Sequence, residues 1–320
     1  MSALAPLTLL RPLYLLSLSL AYIPPTILTH LLHPSQFRTL LSWSSFQDAW
    51  FGRFWAFFGP RSRENAAPTV EPLVRNTLSQ LGHVAVKGGG EGKGKGKGNV
   101  ILDLGPGNGQ WLYLFANLPV GISKIYGVEP NRSHHASLRA AISRHNLDGV
   151  YEILPFGAQD LIGKNILAPE SVDAIVTLQV LCSVPEPRDV VASLYPLLKK
   201  GGRWILYEHV RTKFTGDFVR LWQGKRAPLL PFFTTVVKRG EGELEGAGFG
   251  GKSLTGLWLT LFVTELINLV WPVCFGGCSI TRPTDEWLLT AGEWSDVNLK
   301  PGEGEGKYDT IPHVLGTLVK

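Results

Sequence analysis

The segment at residues 100–109, VILDLGPGNG, constrains the fold of this chain more than any other. An apolar run is followed at once by a Gly-x-Gly-x-Gly turn, which is typical of a buried strand that ends in a ligand-binding loop. Gly105 and Gly107 lack side chains where the backbone turns tightly and where a ligand must approach it closely. The sequence therefore predicts a strand, a cofactor loop and a helix, in that order.

The alternation of strands and helices continues beyond this loop. It predicts an α/β, Rossmann-like fold with a parallel sheet covered on both faces. A last strand at 311–320 is expected to join the sheet in the antiparallel direction. The predicted strands of the parallel part lie at residues 99–104, 124–128, 150–155, 172–177 and 203–208.

Two acidic residues narrow the class of cofactor. Asp103 lies two positions before the first glycine, where its charge would repel the pyrophosphate of a dinucleotide from the helix N-terminus. An acid in this place suits the ammonium group of S-adenosylmethionine (SAM) instead. Glu129 ends the second predicted strand and can accept both hydroxyl groups of a ribose. The pair predicts a SAM site, with further contacts expected from Pro106, Asn108 and Pro130.

Further candidates follow from the rule that ligands in this fold lie at the carboxyl ends of the strands. Ala158 and Gln159 follow the third predicted strand, at the place where SAM enzymes contact the adenine. Thr177 and Leu178 mark the end of the fourth, towards the reacting sulfonium. His209 ends the fifth and is the candidate general base, with a purely structural histidine as the alternative.

The cysteine content bears on redox state and on metals. Three cysteines are too few for a disulfide framework and indicate a reducing compartment. Cys274 and Cys278 lack the other two ligands of a zinc site, so no metal centre is expected. Cys182 is interpreted as a buried structural thiol rather than as a nucleophile.

The N-terminal region has a different composition from the rest of the chain. Residues 13–32 contain no charged side chain over about the length that spans a bilayer, but Pro24 and Pro25 interrupt a helix there. A kinked span and a shallow hairpin in one leaflet are the favoured interpretations, and a signal peptide and a buried helix are the alternatives. Residues 37–58 combine many aromatic side chains with arginines, which is typical of an interfacial helix, although a helix packed on the catalytic domain has the same composition.

These features divide the chain into three parts. Residues 1–58 form the predicted membrane-attachment segment, 59–98 a lead-in helix and a Gly/Lys linker, and 99–320 the catalytic domain with an insert at 212–256. The net charge of +5 is too small and too scattered to predict nucleic-acid binding. It suits a membrane surface, and no obligate protein partner is evident.

The chain resembles a known family. Its members are membrane-associated methyltransferase-like proteins that carry a methyltransferase type 11 domain and act as alkyl thiol S-methyltransferases. The matching motifs are LDLGPGNG, GVEPN, SVDAIVTLQVLCSV, LLKKGGRWILYEHV, VWPVCFGGCSITRPTDEW and IPHVLGTLVK. The resemblance implies cofactor roles for Asp103, Gly105, Gly107 and Glu129. It also implies attachment to the endoplasmic reticulum or to lipid droplets, with the catalytic domain in the cytosol.

The sequence departs from that family at several positions. Pro106 and Asn108 replace the usual Cys and Thr of the glycine loop, Glu129 replaces an Asp, and the insert has no counterpart. We expect SAM-dependent methylation of a small lipophilic acceptor, in the first place a thiol. The alternatives are O- or C-methylation of a lipid, quinone or sterol, and a non-catalytic membrane or lipid-droplet protein that retains the fold.

Overall fold

The computed structural model describes residues 11–81, 98–164, 166–211, 269–305 and 311–320. The predicted insert and nearly all of the Gly/Lys linker lie outside the described residues. The helices are α1 (Arg11–Leu20), α2 (Ile23–Leu32), α3 (Trp43–Ser79), α4 (His135–Arg144), α5 (Asp160–Gly163), α6 (Pro187–Leu194) and α7 (Thr284–Leu289), and residues 269–274 are also helical. The strands are β1 (Asn99–Leu104), β2 (Ile122–Val128), β3 (Tyr151–Leu154), β4 (Val172–Leu178), β5 (Leu198–His209), β6 (Asp296–Pro301) and β7 (His313–Val319).

The strands form one sheet in the order β3-β2-β1-β4-β5-β7-β6. β1 to β5 are parallel, whereas β7 is antiparallel to both β5 and β6. This topology confirms the predicted fold class, including the antiparallel terminal strand. The order reverses at β1 and β4, and the crevice beside such a reversal is where open α/β sheets bind their ligands.

Alternate residues of the central strands pack on opposite faces of the sheet. Leu102 contributes to the core on one face and Ile101 to the core on the other, where α3 and α4 cover the sheet. A third set of buried residues, which we call the aromatic–thiol cluster, joins the N-terminal helices to the segment around residue 275. Its members are Leu15, Leu16, Trp50, Phe54, Cys182, Trp271, Cys274, Phe275, Cys278, Ile280 and Ile311.

The helix α3 is a single helix of 37 residues that crosses the predicted boundary between residues 58 and 59. Its second half packs on the sheet through residues four apart, among them Val70, Val74 and Leu78. Its first half buries Trp50 and Phe54 completely or nearly so. Trp50 and Phe54 therefore pack on the catalytic domain, as in the alternative to an interfacial helix, whereas Phe37, Trp43 and Phe57 of the same segment are exposed.

The region after the glycine loop differs from the prediction. A helix was expected there, but residues 112–114 form only a short 3-10 turn. Gly109 adopts φ +79° and Asn117 φ +56°, and both values lie outside the right-handed helical region. These left-handed residues bound the turn on both sides and prevent a longer helix.

The helices α1 and α2 together provide the one stretch in the described part of the chain that is long and apolar enough to cross a membrane, Arg11–Leu32. A turn at residues 21–22 separates them. One side is fixed to α3, because the Trp50 indole donates to the Ser19 carbonyl at 2.8 Å and Arg53 donates to the Thr29 hydroxyl at 2.7 Å. The other side leaves apolar side chains exposed, namely Leu13, Tyr14, Leu20, Ile27, Leu28, Leu31 and Leu32.

Candidate functional site

The parallel strands bring the predicted cofactor residues to one edge of the sheet. In the central strand β1, Asp103 lies in register with Gly127 of β2 and Val176 of β4. Glu129 follows β2 directly, and Gly105 follows β1. The two acids and the glycine loop are therefore neighbours at the carboxyl ends of adjacent strands, as the sequence predicted.

Asp103 is a buried acid. Its Oδ2 accepts a hydrogen bond of 2.7 Å from the hydroxyl of Tyr151 in β3. Burial raises the pKa of Asp103 to about 7, the hydrogen bond from Tyr151 lowers it, and the nearby carboxylate of Glu129 raises it. Among the described residues no cation forms an ion pair with Asp103. The site therefore fits a ligand that supplies a positive charge of its own.

Glu129 connects the glycine loop to the loop after β2. Its Oε2 accepts from the amide of Gly107 and its Oε1 from the amide of Asn131, each at 2.9 Å. Burial raises the pKa of Glu129 to about 7, although the two amide hydrogen bonds by themselves lower this pKa. Each carboxylate oxygen keeps a second acceptor site, so the pair of ribose hydroxyls remains within its capacity.

The glycine loop requires glycine for two reasons. Gly105 and Gly107 both have positive φ, +62° and +55°, which other residues adopt only with strain. A Cβ on Gly105 would lie 2.3 Å from Cγ2 of Val180, and one on Gly107 would lie 3.3 Å from Nε1 of Trp55. Trp55 belongs to α3, and this helix therefore packs against the glycine loop.

The other predicted loop residues are placed unequally. Asn108 forms a hydrogen bond through its Oδ1 with His134, at the start of α4. Pro106 is half-buried, whereas Pro130 is exposed. Ala158 is buried and Gln159 exposed, in the loop after β3.

The two predicted residues at the end of β4 differ in what they can offer a ligand. The hydroxyl of Thr177 is fully buried and accepts a hydrogen bond of 3.1 Å from the indole of Trp204. Its side chain is therefore engaged in the core and is not available to a ligand. Leu178 is half-buried and remains a candidate for apolar contact.

On the other side of β4 the structure assembles three side chains that we call the thiol–imidazole cluster. Its members are Cys182, His209 and Cys278. The two Sγ atoms and one ring nitrogen of His209 all lie within 4.8 Å of one another. Nδ1 of His209 lies 3.7 Å from Sγ of Cys278. The hydrogen bond between the two thiols raises the pKa of Cys182 and lowers that of Cys278, so Cys278 is the one that ionises first.

Buried polar groups hold the backbone around this cluster. Glu208 is fully buried and accepts hydrogen bonds from the amides of Val180 and Leu181, at 3.1 Å each through Oε2. The ring of His209 packs edge-on against His313, with centroids 4.5 Å apart. Burial lowers the pKa of His313 to about 4. The predicted base His209 is thus half-buried and surrounded by a fixed scaffold.

The fold brings further residues to the site that the sequence motifs did not predict. Tyr151 fixes Asp103, and Trp55 lies over the glycine loop. Gln179 follows β4 with φ +60° and accepts a hydrogen bond of 3.1 Å from Ser62 of α3. None of them belongs to the sequence motifs of the glycine loop, and each comes from an element that only the fold brings there. A polar residue directly after a predicted strand, as at Gln179, was the one available signal.

Comparison with known proteins gives a consistent picture. Residues 102–206 match the family model described as a methyltransferase domain. Over 224 residues the chain is 32% identical to the thiol S-methyltransferase TMT1B of Rattus norvegicus. The aligned region covers 69% of this chain and 70% of the rat protein.

Solved structures of similar proteins include two methyltransferases. One is an O-methyltransferase family protein from Burkholderia thailandensis, at 16% identity and a TM-score of 0.44, covering 86% of this chain and 60% of that chain. The other is an arsenic(III) SAM methyltransferase from Chlamydomonas reinhardtii, at 17% identity and a TM-score of 0.42, covering 78% and 74%.

The domain match, the identity to the rat protein and the acid-and-glycine site agree on one assignment. The protein is a SAM-dependent methyltransferase, and SAM is its cofactor. The chain belongs to the thiol S-methyltransferase family of class I, SAM-dependent methyltransferases.

Proposed function

We propose that this enzyme transfers the methyl group of SAM to the sulfur of a small lipophilic thiol at a membrane surface. The observation that carries the proposal is the 32% identity, over 70% of its length, to a protein named as a thiol S-methyltransferase. The remaining support comes from the chemistry of the residues on each side of β4.

The cofactor side suits SAM. When bound, SAM supplies an electrophilic methyl group on a sulfonium, whose carbon–sulfur electron pair leaves with the sulfur. Asp103 would bind the ammonium of its methionine part, and Glu129 the ribose hydroxyls. Gly105 and Gly107 allow the backbone to approach it, and the loop with Ala158 and Gln159 would contact the adenine. The protein then acts mainly by holding donor and acceptor in line and by excluding water.

The acceptor side is apolar. Cys182 and Cys278 lie in the aromatic–thiol cluster, together with Trp271 and Phe275. Apolar surroundings of this kind would favour a lipophilic acceptor over a charged one. The same cluster contains Leu15 and Leu16 of α1, so the acceptor side adjoins the apolar N-terminal helices.

We also propose that α1 and α2 attach the enzyme to one leaflet. Each helix is joined to α3 by a hydrogen bond, at Ser19 and at Thr29, which favours a position along the domain over a span that leaves it. Their exposed leucines would enter the acyl boundary. Attachment to the endoplasmic reticulum or to lipid droplets, with the domain in the cytosol, follows from the family resemblance and agrees with three free cysteines.

The acceptor class is tested with methyl-labelled SAM and a panel of alkyl thiols, phenols and sterols of similar lipophilicity, offered in detergent micelles. We expect label on the thiols, as a methyl thioether. Label on phenols or sterols alone would replace the thiol by an oxygen or carbon acceptor. Failure to bind SAM in calorimetry would instead favour a non-catalytic protein that retains the fold.

A further inference from the structure

We propose that Cys182, His209 and Cys278 bind a zinc ion, and that the fourth position on this ion takes the acceptor thiol as its thiolate. The metal site itself stands on the three side chains. Only the role of the fourth ligand rests on the thiol acceptor proposed above.

The spacing of the three side chains suits a zinc ion. All three ligand atoms lie within 4.8 Å of one another, and Nδ1 of His209 lies 3.7 Å from Sγ of Cys278. Tetrahedral zinc with Zn–S bonds of about 2.3 Å and Zn–N bonds of about 2.0 Å places neighbouring sulfur and nitrogen atoms roughly 3.6 Å apart. In the part of the chain that the structure describes, no other group of three such side chains meets this condition.

The three ligands come from separate elements that are fixed to one another. Cys182 lies in the turn after β4, His209 ends β5, and Cys278 follows the helical segment at 269–274. The amide of Ser279 donates to the carbonyl of Cys182 at 2.8 Å, which joins the first and third elements. Glu208 fixes the β4 turn through two amides. Preorganisation of this kind is what the ligands of a metal site require.

The donor atoms and their surroundings favour zinc. Two thiolates and an imidazole form the Cys2His set that zinc accepts in catalytic sites, where a fourth position stays open for water or substrate. The guanidinium of Arg282 donates to the carbonyls of Leu181 and Val184 beside the cluster, at 2.8 and 2.6 Å. The indole N–H of Trp271 is buried, and among the described residues its one polar neighbour is the thiol of Cys278. Both groups suit an excess of negative charge on sulfur.

The site gives the thiol acceptor its reactive form. A thiol that coordinates zinc loses its proton, here to solvent, and becomes a thiolate at neutral pH. Its sulfur then attacks the methyl carbon of SAM, the bond from that carbon to the sulfonium breaks, and the electron pair stays on S-adenosylhomocysteine. The product thioether is neutral and a weaker ligand, so it leaves. His209 is then a ligand and not the general base that its position at the end of β5 suggested.

The test is the metal content of the full chain, purified in detergent with zinc in the growth medium, together with four variants. Cys182→Ser, Cys278→Ser and His209→Ala each remove one ligand. Cys274→Ala is the matched control, because this cysteine is also buried in the aromatic–thiol cluster but lies outside the thiol–imidazole cluster. Thermal melts and SAM calorimetry identify any variant that fails to fold.

We expect about one zinc ion per chain in the wild type and in Cys274→Ala, and a loss of affinity of at least about tenfold in each ligand variant. Cobalt substituted into the wild type should give the visible absorption of a tetrahedral thiolate site. Chelation should lower thiol methylation while SAM affinity stays unchanged. This last readout needs no variant to fold.

Two results would overturn the proposal: a wild type that binds no zinc after supplementation, or zinc that remains at full occupancy in the folded ligand variants. A disulfide between Cys182 and Cys278 in zinc-supplemented protein would also overturn it. A chain that binds zinc through these residues but methylates no thiol would leave the metal site standing and refute the proposed acceptor. Thiol methylation at an unchanged rate by a chain stripped of zinc would refute the role of the fourth ligand and leave the thiol acceptor standing.

Discussion

Two buried carboxylates, Asp103 and Glu129, lie close enough for the charge of one to raise the pKa of the other. Proteins rarely bury acids without a cation, because an ionised carboxylate loses its hydration there. The arrangement makes sense if the ligand brings the cation, as the ammonium of SAM does. Two consequences follow, one for binding and one for stability.

SAM affinity should depend on pH. The pKa of Asp103 is raised to about 7 in the free enzyme, and in the proposed cofactor site the ammonium of SAM would bind the ionised form. Affinity is therefore present above pH 7 and falls as the pH drops through 7, by up to about tenfold per unit for one linked proton. Calorimetry at pH 6, 7 and 8 measures this. Tyr151→Phe removes the hydrogen bond that lowers this pKa, so its affinity curve should shift to higher pH. Equal affinity at all three pH values would refute the role of Asp103.

The same acid should lower the stability of the free enzyme. Its folded pKa lies above its unfolded value of 3.8, so the folded state holds the proton more tightly, and the stability this provides is lost as the pH rises towards 7. Asp103→Asn removes the charge and keeps an acceptor for Tyr151. At pH 8 we expect it to melt several degrees higher than the wild type, at about 2–4 °C per kcal/mol. At pH 5 the difference should shrink, and a lower melting point at pH 8 would contradict this explanation.

At the scale of elements, α3 connects all parts of the molecule. Phe54, in its first half, is fully buried against Phe275 and Tyr22. Phe54→Ala should cost about 3–5 kcal/mol in unfolding free energy, measured with urea. Phe57→Ala is the matched control, because the ring of Phe57 is 38% exposed and its loss should cost much less. Equal losses would mean that the first half of α3 does not pack on the domain.

The apolar side of α1 and α2 should control attachment to membranes. Replacing Leu28, Leu31 and Leu32 by serine removes exposed apolar area without touching the buried side of α2. We expect strongly reduced flotation with anionic vesicles. Leu289→Ser, at an exposed leucine of α7, is the control and should leave flotation unchanged. Unchanged flotation of the triple variant would exclude α2 as the anchor.

The elements also show what a sequence can predict. Apolar strands that precede a glycine or an acid were predicted nearly to the residue, because burial on both faces gives a continuous apolar run. Strand β6 was not, since nearly all of its side chains are exposed and no pattern marks it. The continuity of α3 was hidden by Pro60, Pro68 and Pro72, each of which removes an amide donor and normally ends a helix. Packing on the sheet overrides that tendency.

At the scale of the whole molecule, the cofactor residues and the proposed acceptor side depend on different kinds of information. Asp103, Gly105 and Glu129 lie close in sequence and follow strands, so a local pattern predicts them. The thiol–imidazole cluster joins residues as far apart in sequence as Cys182 and Cys278, which are separated by 96 positions. No local spacing in the sequence predicts this cluster. The fold brings it to the far side of β4, next to the apolar N-terminal helices. A membrane-soluble acceptor would meet the enzyme at that side.

The proposed activity is tested most sharply by measuring transfer of labelled methyl from SAM to one alkyl thiol by the full chain in detergent, compared with Asp103→Ala. We expect a labelled methyl thioether from the wild type and a large loss in the variant, with kcat/KM for SAM falling because the ammonium has lost its partner. Equal transfer by both proteins, or no transfer by a wild type that is folded and binds SAM, would contradict it.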